Sequence, residues 1–241
     1  KYLAKVGEES IQFYGYKTDG LWSSYDEANA AIADTSVVYT IFAPEAGGLK
    51  IVDIDGNDTL NTDDRTVIGS PFPDFTWGLT NTFKYKNFDA SFLIQGSQGG
   101  ELINGDARNL EPLRKYEVYT EGRWVSPMFP GDGQTTYNDN TAPLDLMSTD
   151  YVVEDASYIA LRELSIGYTL PSNTTNKLFI TNLRAYVSAT NLFYFMGDSY
   201  RGTNPEARRT SSEYDHPLVG GYQRGVFPIT RTFTFGLDIS F

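Results

Sequence analysis

The densest set of side chains able to do chemistry lies at 53–64, DIDGNDTLNTDD. Side-chain oxygens fall at its first, third, fifth and ninth positions (Asp53, Asp55, Asn57, Asn61), a backbone carbonyl at the seventh (Thr59) and a carboxylate at the twelfth (Asp64). That is the spacing at which an EF-hand-type loop wraps calcium, a hard cation satisfied by oxygen ligands. Two positions depart from the pattern. Asp58 stands sixth, where glycine usually makes the turn, although Asp tolerates the left-handed conformation better than most residues. Asp64 stands last, where the longer Glu usually binds with both oxygens. The same run also reads as an acidic Asx turn before a strand, with no metal. A second pair, Asp215 and His216, has the composition of a hydrolase dyad, but no nucleophile motif such as G-x-S-x-G accompanies it, and the reading is a solvated loop histidine. Loop aromatics Trp22, Tyr116, Tyr119, Trp124 and Tyr137 form a third set. Trp124 and Tyr137 are candidate platforms for substrate stacking; small satellite cores that stiffen the loops are the alternative.

The elements that must position these groups are strands. The chain has 241 residues with 31 Asp and Glu against 19 Lys and Arg, a formal net charge of -12. Nucleic-acid binding needs clustered cations facing phosphates, so that class is excluded. Cysteine is absent, which excludes disulfides, thiol catalysis and Cys-built zinc sites. No run of about 18 apolar residues exists, so no transmembrane helix is expected. Aromatics make up 15% of the chain, mostly Tyr and Phe, residues that favour strands. Two classes remain: a soluble all-β domain, or a piece of a membrane β-barrel.

Strict alternation separates them. After Ile229, Phe233, Phe235, Leu237, Ile239 and Phe241 alternate with Thr232, Thr234, Gly236, Asp238 and Ser240. A period of two gives one apolar and one polar face, and this run is longer than the five or six residues usual in soluble strands. Four more runs repeat the device. At 75–86, Phe75, Trp77, Leu79, Phe83 and Tyr85 share a face, and a tight connection at Lys86 and Asn87 leads to Phe88, Ala90, Phe92 and Ile94. At 158–170 the apolar set is Leu164, Ile166, Tyr168 and Leu170; at 183–195 it is Leu183, Ala185, Val187, Ala189, Phe193 and Phe195. Arg162 and Arg231 fall at apolar parity and are expected at outer strand ends, and Asn191 near the membrane interface. Arg184, Tyr186, Thr230 and Thr232 are expected on the polar face, and a short helix is expected over 24–33. Connections alternate between short and long, as in outer-membrane barrels with periplasmic turns and extracellular loops. Five strands cannot close a barrel, and an open sheet edge in lipid leaves unsatisfied backbone groups, so further strands are expected elsewhere.

Five blocks together resemble SusC/RagA-type TonB-dependent outer-membrane transporters of Bacteroidetes: FYGYKTDGLW (13–22), the stretch 50–96 from KIVDIDGNDTLN to SFLIQG, VEDASYIALRELSIGYTLP (153–171), LRAYVSATNLFYF (183–195) and RTFTFGLDISF (231–241). They cover about half of the chain. The resemblance implies an all-β fold, the last five antiparallel strands of a 22-stranded barrel with long extracellular loops. It implies a division into an extracellular loop region with the calcium-like motif at 1–74 and the barrel strands at 75–241. It further implies uptake of oligosaccharides or peptides through the outer membrane, a SusD-like lipoprotein lid, and a plug and TonB contact supplied by the rest of the transporter, since no plug or TonB-box sequence is present here. No catalytic role is implied. A soluble all-β glycan-binding module is the alternative function, and an outer-membrane hydrolase is disfavoured by the single histidine.

Overall fold

The computed structural model describes residues 2–105, 122–136, 146–206 and 220–241. Its largest element is one antiparallel sheet of five long strands: β1 (Phe75–Tyr85), β2 (Phe88–Gln98), β3 (Tyr158–Thr169), β4 (Asn182–Met196) and β5 (Thr232–Ser240). Each pairs with its neighbour in sequence, giving the order β5-β4-β3-β2-β1. The β1–β2 turn is tight because Lys86 adopts a left-handed φ of 53°.

The alternation seen in the sequence becomes a physical division. Apolar side chains on one face stand bare: Phe235 is 81% exposed and Leu237 66%, as are, to lesser degrees, Leu79, Phe83, Ile166 and Phe193. Cross-strand pairs on this face match in register, Val187 opposite Phe235 and Phe92 opposite Leu164. Its rings touch each other, Phe88 and Tyr168 at 4.6 Å between centroids. In water such a face would be an aggregation surface of unusual size. The other face carries Asp89, Glu163, Arg184 and Asp238.

The parity expected of Arg162 needs correction. The β3 register shifts between Leu161 and Glu163: Leu161 pairs with Ile94, while Glu163 pairs with Leu93. Arg162 is therefore the extra residue of a bulge, which reverses the parity of everything before it. Leu161 and Ile159 join the apolar face and Arg162 moves to the polar one. On β4 the register slips at the same level, where Asn191 has φ 52°. Arg231 precedes β5 and is exposed. No described strand thus places a charged side chain on the apolar face.

At the end of the sheet away from the 86–87 turn sits a compact head. It is assembled from short pairings: 12–15 with 2–3 and 66–69, 18–21 with 49–51, 38–39 with 59–60, and 101–104 with both 153–155 and 222–223. Its core joins Phe13, Leu21 and Leu49 to Ile103, Met147 and Val152, so the segment 1–74 packs with segments that follow β2 and β4. The expected helix is present as α1 (Tyr25–Ala33), capped by Ser24, whose Oγ accepts from the Glu27 N–H at 3.2 Å. Among the described residues, no helix is long and apolar enough to cross a membrane, which says nothing of strands.

The sheet makes a directional prediction. In lipid vesicles, Phe235→Arg at the middle of β5 should destabilise the assembled protein by about 2–4 kcal/mol, read as a lower midpoint in urea titration. Thr234→Arg, one residue away on the polar face, should leave that midpoint nearly unchanged.

Candidate metal loop and polar wall

The 53–64 loop is built by its own side chains capping its own backbone. Asp53 accepts from Gly56 N–H at 2.7 Å through Oδ1 and from Asp58 N–H at 2.8 Å through Oδ2. Asp58 takes φ 57°, the left-handed turn that the sixth position requires. Asp64 is fully buried and fastens both ends of the loop: Oδ1 accepts from Ile54 N–H at 2.9 Å and Oδ2 from Asn61 N–H at 2.8 Å. Asn61 completes a capping box by accepting from Asp63 N–H at 2.6 Å. Oxygens of Asp53, Asp55 and Asp64 then lie within 4.8 Å of one another.

Three convergent carboxylates repel one another. Asp55 is held above its ordinary range by partial desolvation, against a backbone hydrogen bond from Asn57, with the charges of Asp64 and Asp53 adding to the rise. Asp53 is held below its range: its desolvation acts upward, but the N–H groups of Gly56, Asp58 and Asn57 outweigh it. None of the ion pairs among the described residues involves these three carboxylates. Oxygen-only donors with excess negative charge and no soft ligand fit a hard divalent cation such as calcium. Two of the other expected ligands, Asn57 and Asn61, also direct side-chain oxygens at the loop's own backbone. Asn57 Oδ1 accepts from Thr59 N–H at 2.7 Å, Asn61 Oδ1 is taken by Asp63, and Thr59 lies in the short strand 59–60.

The aromatic candidates separate. Trp124 is 3% exposed, its Nε1–H donates to Ser23 O at 2.9 Å, and Gly47 lies against its ring with no room for a Cβ. It is a core residue of the head and offers no face for stacking, which corrects its expected role as a substrate platform. Trp22 is half-buried beneath the Lys50 ammonium, 5.0 Å from the ring centre. Tyr116, Tyr119, Tyr137, Asp215 and His216 lie outside the described residues.

The polar face of the sheet carries two charge clusters. Arg184 on β4 grips Asp89 on β2 with Nη2 at 2.6 Å and Nε at 3.0 Å, and reaches Asp238 on β5 at 3.1 Å. To meet Asp89 it must cross β3, and it does so over Gly167, where a Cβ would sit 2.5 Å from the guanidinium. Nearer the head, Arg162 forms an ion pair with Glu206 and hydrogen bonds with Tyr194 and Gln95. Sequence reasoning missed this second cluster because it assumed unbroken parity. The signal was there: Leu161 and Leu164 are three apart, a spacing that period two cannot place on one face without a bulge. A buried Glu154 holds Arg201 by its Nε at 2.8 Å, tying the chain after β4 to the head.

A sheet apolar on one face and charged on the other, with loops gathered at one end, has the pattern of an outer-membrane β-barrel wall. No family model matches the chain. TonB-dependent receptor P3 of Formosa agariphila is 33% identical over 243 residues, spanning 99% of this chain and 23% of that protein. TonB-dependent receptor SusC of Bacteroides thetaiotaomicron is 24% identical over 243 residues, spanning 98% of this chain and 20% of that protein. The RagAB peptide transporter structure superposes with TM-score 0.65 at 21% identity, covering 96% of this chain and 23% of that one. The chain belongs to the SusC/RagA family of TonB-dependent outer-membrane transporters. It spans about a quarter of the length of these relatives.

Burial assigns Trp124 a measurable weight. Trp124→Ala in the full transporter should cost the head about 3–5 kcal/mol, seen as accelerated hydrogen exchange across 21–23 and 47–49. Exchange in β3 and β4 should be unaltered. Unchanged protection in the head would contradict its role as a core residue.

Proposed function

We propose that the chain forms the C-terminal wall and outer head of a SusC-like importer that takes up oligosaccharides or peptides together with a SusD-like lipoprotein. The observation that carries this reading is the five-stranded sheet with one bare apolar face and one charged face. Its edges, β1 and β5, present backbone groups that lipid cannot satisfy, so the wall is completed by strands of the same transporter, to the 22 of the family. The plug and the TonB contact belong to that remainder. Arg184 and its two carboxylates face the plug, and the head lies at the extracellular mouth, where substrate and lid meet. The named relatives are receptors and transporters, in keeping with a role in binding and passage rather than bond chemistry.

The test is uptake. Deleting the gene of the full transporter, or its TonB, should abolish growth on the oligosaccharide or peptide source it serves, and tagged transporter should co-purify from the outer membrane with a lipoprotein. Residues 1–241 folding cooperatively in water without detergent would instead support a soluble glycan-binding module.

The 53–64 loop holds calcium in this reading, through Asp53, Asp55 and Asp64 with Asn57, Asn61 and the Thr59 carbonyl as further oxygens. Its role is structural, neutralising three carboxylates beneath the mouth. The pH dependence follows from Asp55. A carboxyl whose folded pKa is raised favours the metal-free fold below its unfolded pKa, and that contribution is lost as pH rises through the folded value. Calcium needs the ionised form, so it binds more tightly as pH rises. A chelator should therefore lower the Tm of the full transporter more at neutral than at acidic pH, and Asp64→Asn should remove the chelator effect. Equal chelator effects at both pH values would exclude the site.

A further inference from the structure

A cleft on the head, separate from the metal loop and the polar wall, has a volume of about 420 Å³ and is lined by Tyr14, Tyr16, Thr40, Phe42, Arg65 and Ser148. Its size falls in the range of small-ligand sites. Four features set it apart. Phe42 has φ 46°, a conformation that is an outlier for a bulky side chain and persists where its surroundings enforce it. Its ring meets Tyr16 edge-on at 5.4 Å.

The Tyr14–Tyr16 stretch is fixed from behind: a Cβ on Gly15 would lie 2.1 Å from the Ser148 carbonyl, and Tyr16 N–H donates to that carbonyl at 2.8 Å. Arg65, half-buried on the segment entering the strand 66–69 that pairs with Tyr14, places its guanidinium 5.8 Å from the Tyr14 ring centre. Its Nε donates to Thr62 O at 2.9 Å, and among the described residues no carboxylate pairs with it. Among the described residues, a guanidinium without a carboxylate partner in an aromatic cleft can serve as the partner of an anion.

We infer that this cleft is a subsite for a sugar residue bearing a carboxylate or sulfate, an inference that rests on the importer reading. The half-buried rings of Tyr14 and Phe42 take the C–H face of a pyranose, with Tyr16 buried behind Phe42 as support. The Thr40 and Ser148 segments offer polar partners for its hydroxyls, and Arg65 binds the anionic substituent with charge-assisted, bidentate geometry. Aromatic surface with a single cation fits a ring carrying one negative group better than an extended peptide, which would bring backbone groups that the cleft does not match.

The experiment is calorimetry on the full transporter in detergent. The probes are a galacturonate trisaccharide, a sulfated galactose trisaccharide, neutral galactotriose and an Asp-containing tripeptide. At least one anionic trisaccharide should bind about tenfold or more tightly than galactotriose, and which one binds separates carboxylate from sulfate. Arg65→Gln should erase that preference while leaving the neutral sugar unaffected, and Tyr14→Ala should weaken both. Absence of any anionic preference, its survival in Arg65→Gln, or tighter binding of the tripeptide would overturn the assignment. Heat-modifiable mobility of the same samples reports barrel assembly independently. Assembled protein that shows no preference refutes only the subsite, whereas protein that never assembles in the outer membrane refutes the importer.

Discussion

Backbone hydrogen bonding in an environment without water is the constraint from which the rest of this structure follows. A strand in lipid must give every N–H and C=O to a neighbouring strand, and the sheet here does so over ladders of 11 and 10 pairs on the two sides of β3, interrupted at the Arg162 bulge. Once the ladders are fixed, side chains have only two directions to point. The apolar half of every strand is committed to one side, which leaves the polar half to face its own kind. The salt-bridged Arg184 is a consequence: charged groups contributed by β2, β4 and β5 satisfy one another laterally across that face. Gly167 permits this by leaving the β3 surface flat where the guanidinium passes.

The bulge at Arg162 shows how the same constraint is relaxed in a controlled way. One extra residue in β3, matched by the slip at Asn191 on β4, lets both strands continue while their inward residues change. Below the bulge the polar face carries Glu163 and Ser165; above it come Arg162, Ala160 and Tyr158. Bulges of this kind are common at barrel rims, and here the bulge lies where wall gives way to head. Arg162 reaches Glu206, and Arg201 of the same segment reaches buried Glu154. The chain leaving β4 is thus pinned at two points, one on the wall and one on the head, so the two parts are coupled electrostatically as well as covalently.

How much of this was legible in the residues depends on range. The five long strands, the 86–87 turn and the helix capped by Ser24 are local, period-two or cap-and-turn features, and they stand where alternation and capping chemistry place them. The loop at 53–64 was legible as a spacing, down to Asp58 taking the left-handed turn, because Asx geometry is set within a few residues. What could not be read locally is long-range. Trp124 reads as a loop aromatic, yet Ser23 and Gly47, distant in sequence, enclose it. The parity reversal at Arg162 depends on how β2 and β4 pair with β3, and period counting carries no information about the partner's register.

Those two misreadings share a cause that bears on the head as a whole. Its strands are two to four residues long and pair across large sequence separations, so no periodicity develops within any of them. Stability must come from the shared core of Phe13, Ile103, Met147 and Val152 and from buried polar links such as Asn104 Nδ2 donating to Glu154 Oε1 at 2.8 Å. A head held in this way, by contacts among several loops, can differ in surface without altering the wall beneath it. The aromatic cleft at Tyr14, Phe42 and Arg65 occupies that kind of surface. Its backbone is anchored to the head core through Phe13 and the Ser148 carbonyl, while none of the side chains that line it joins the core cluster.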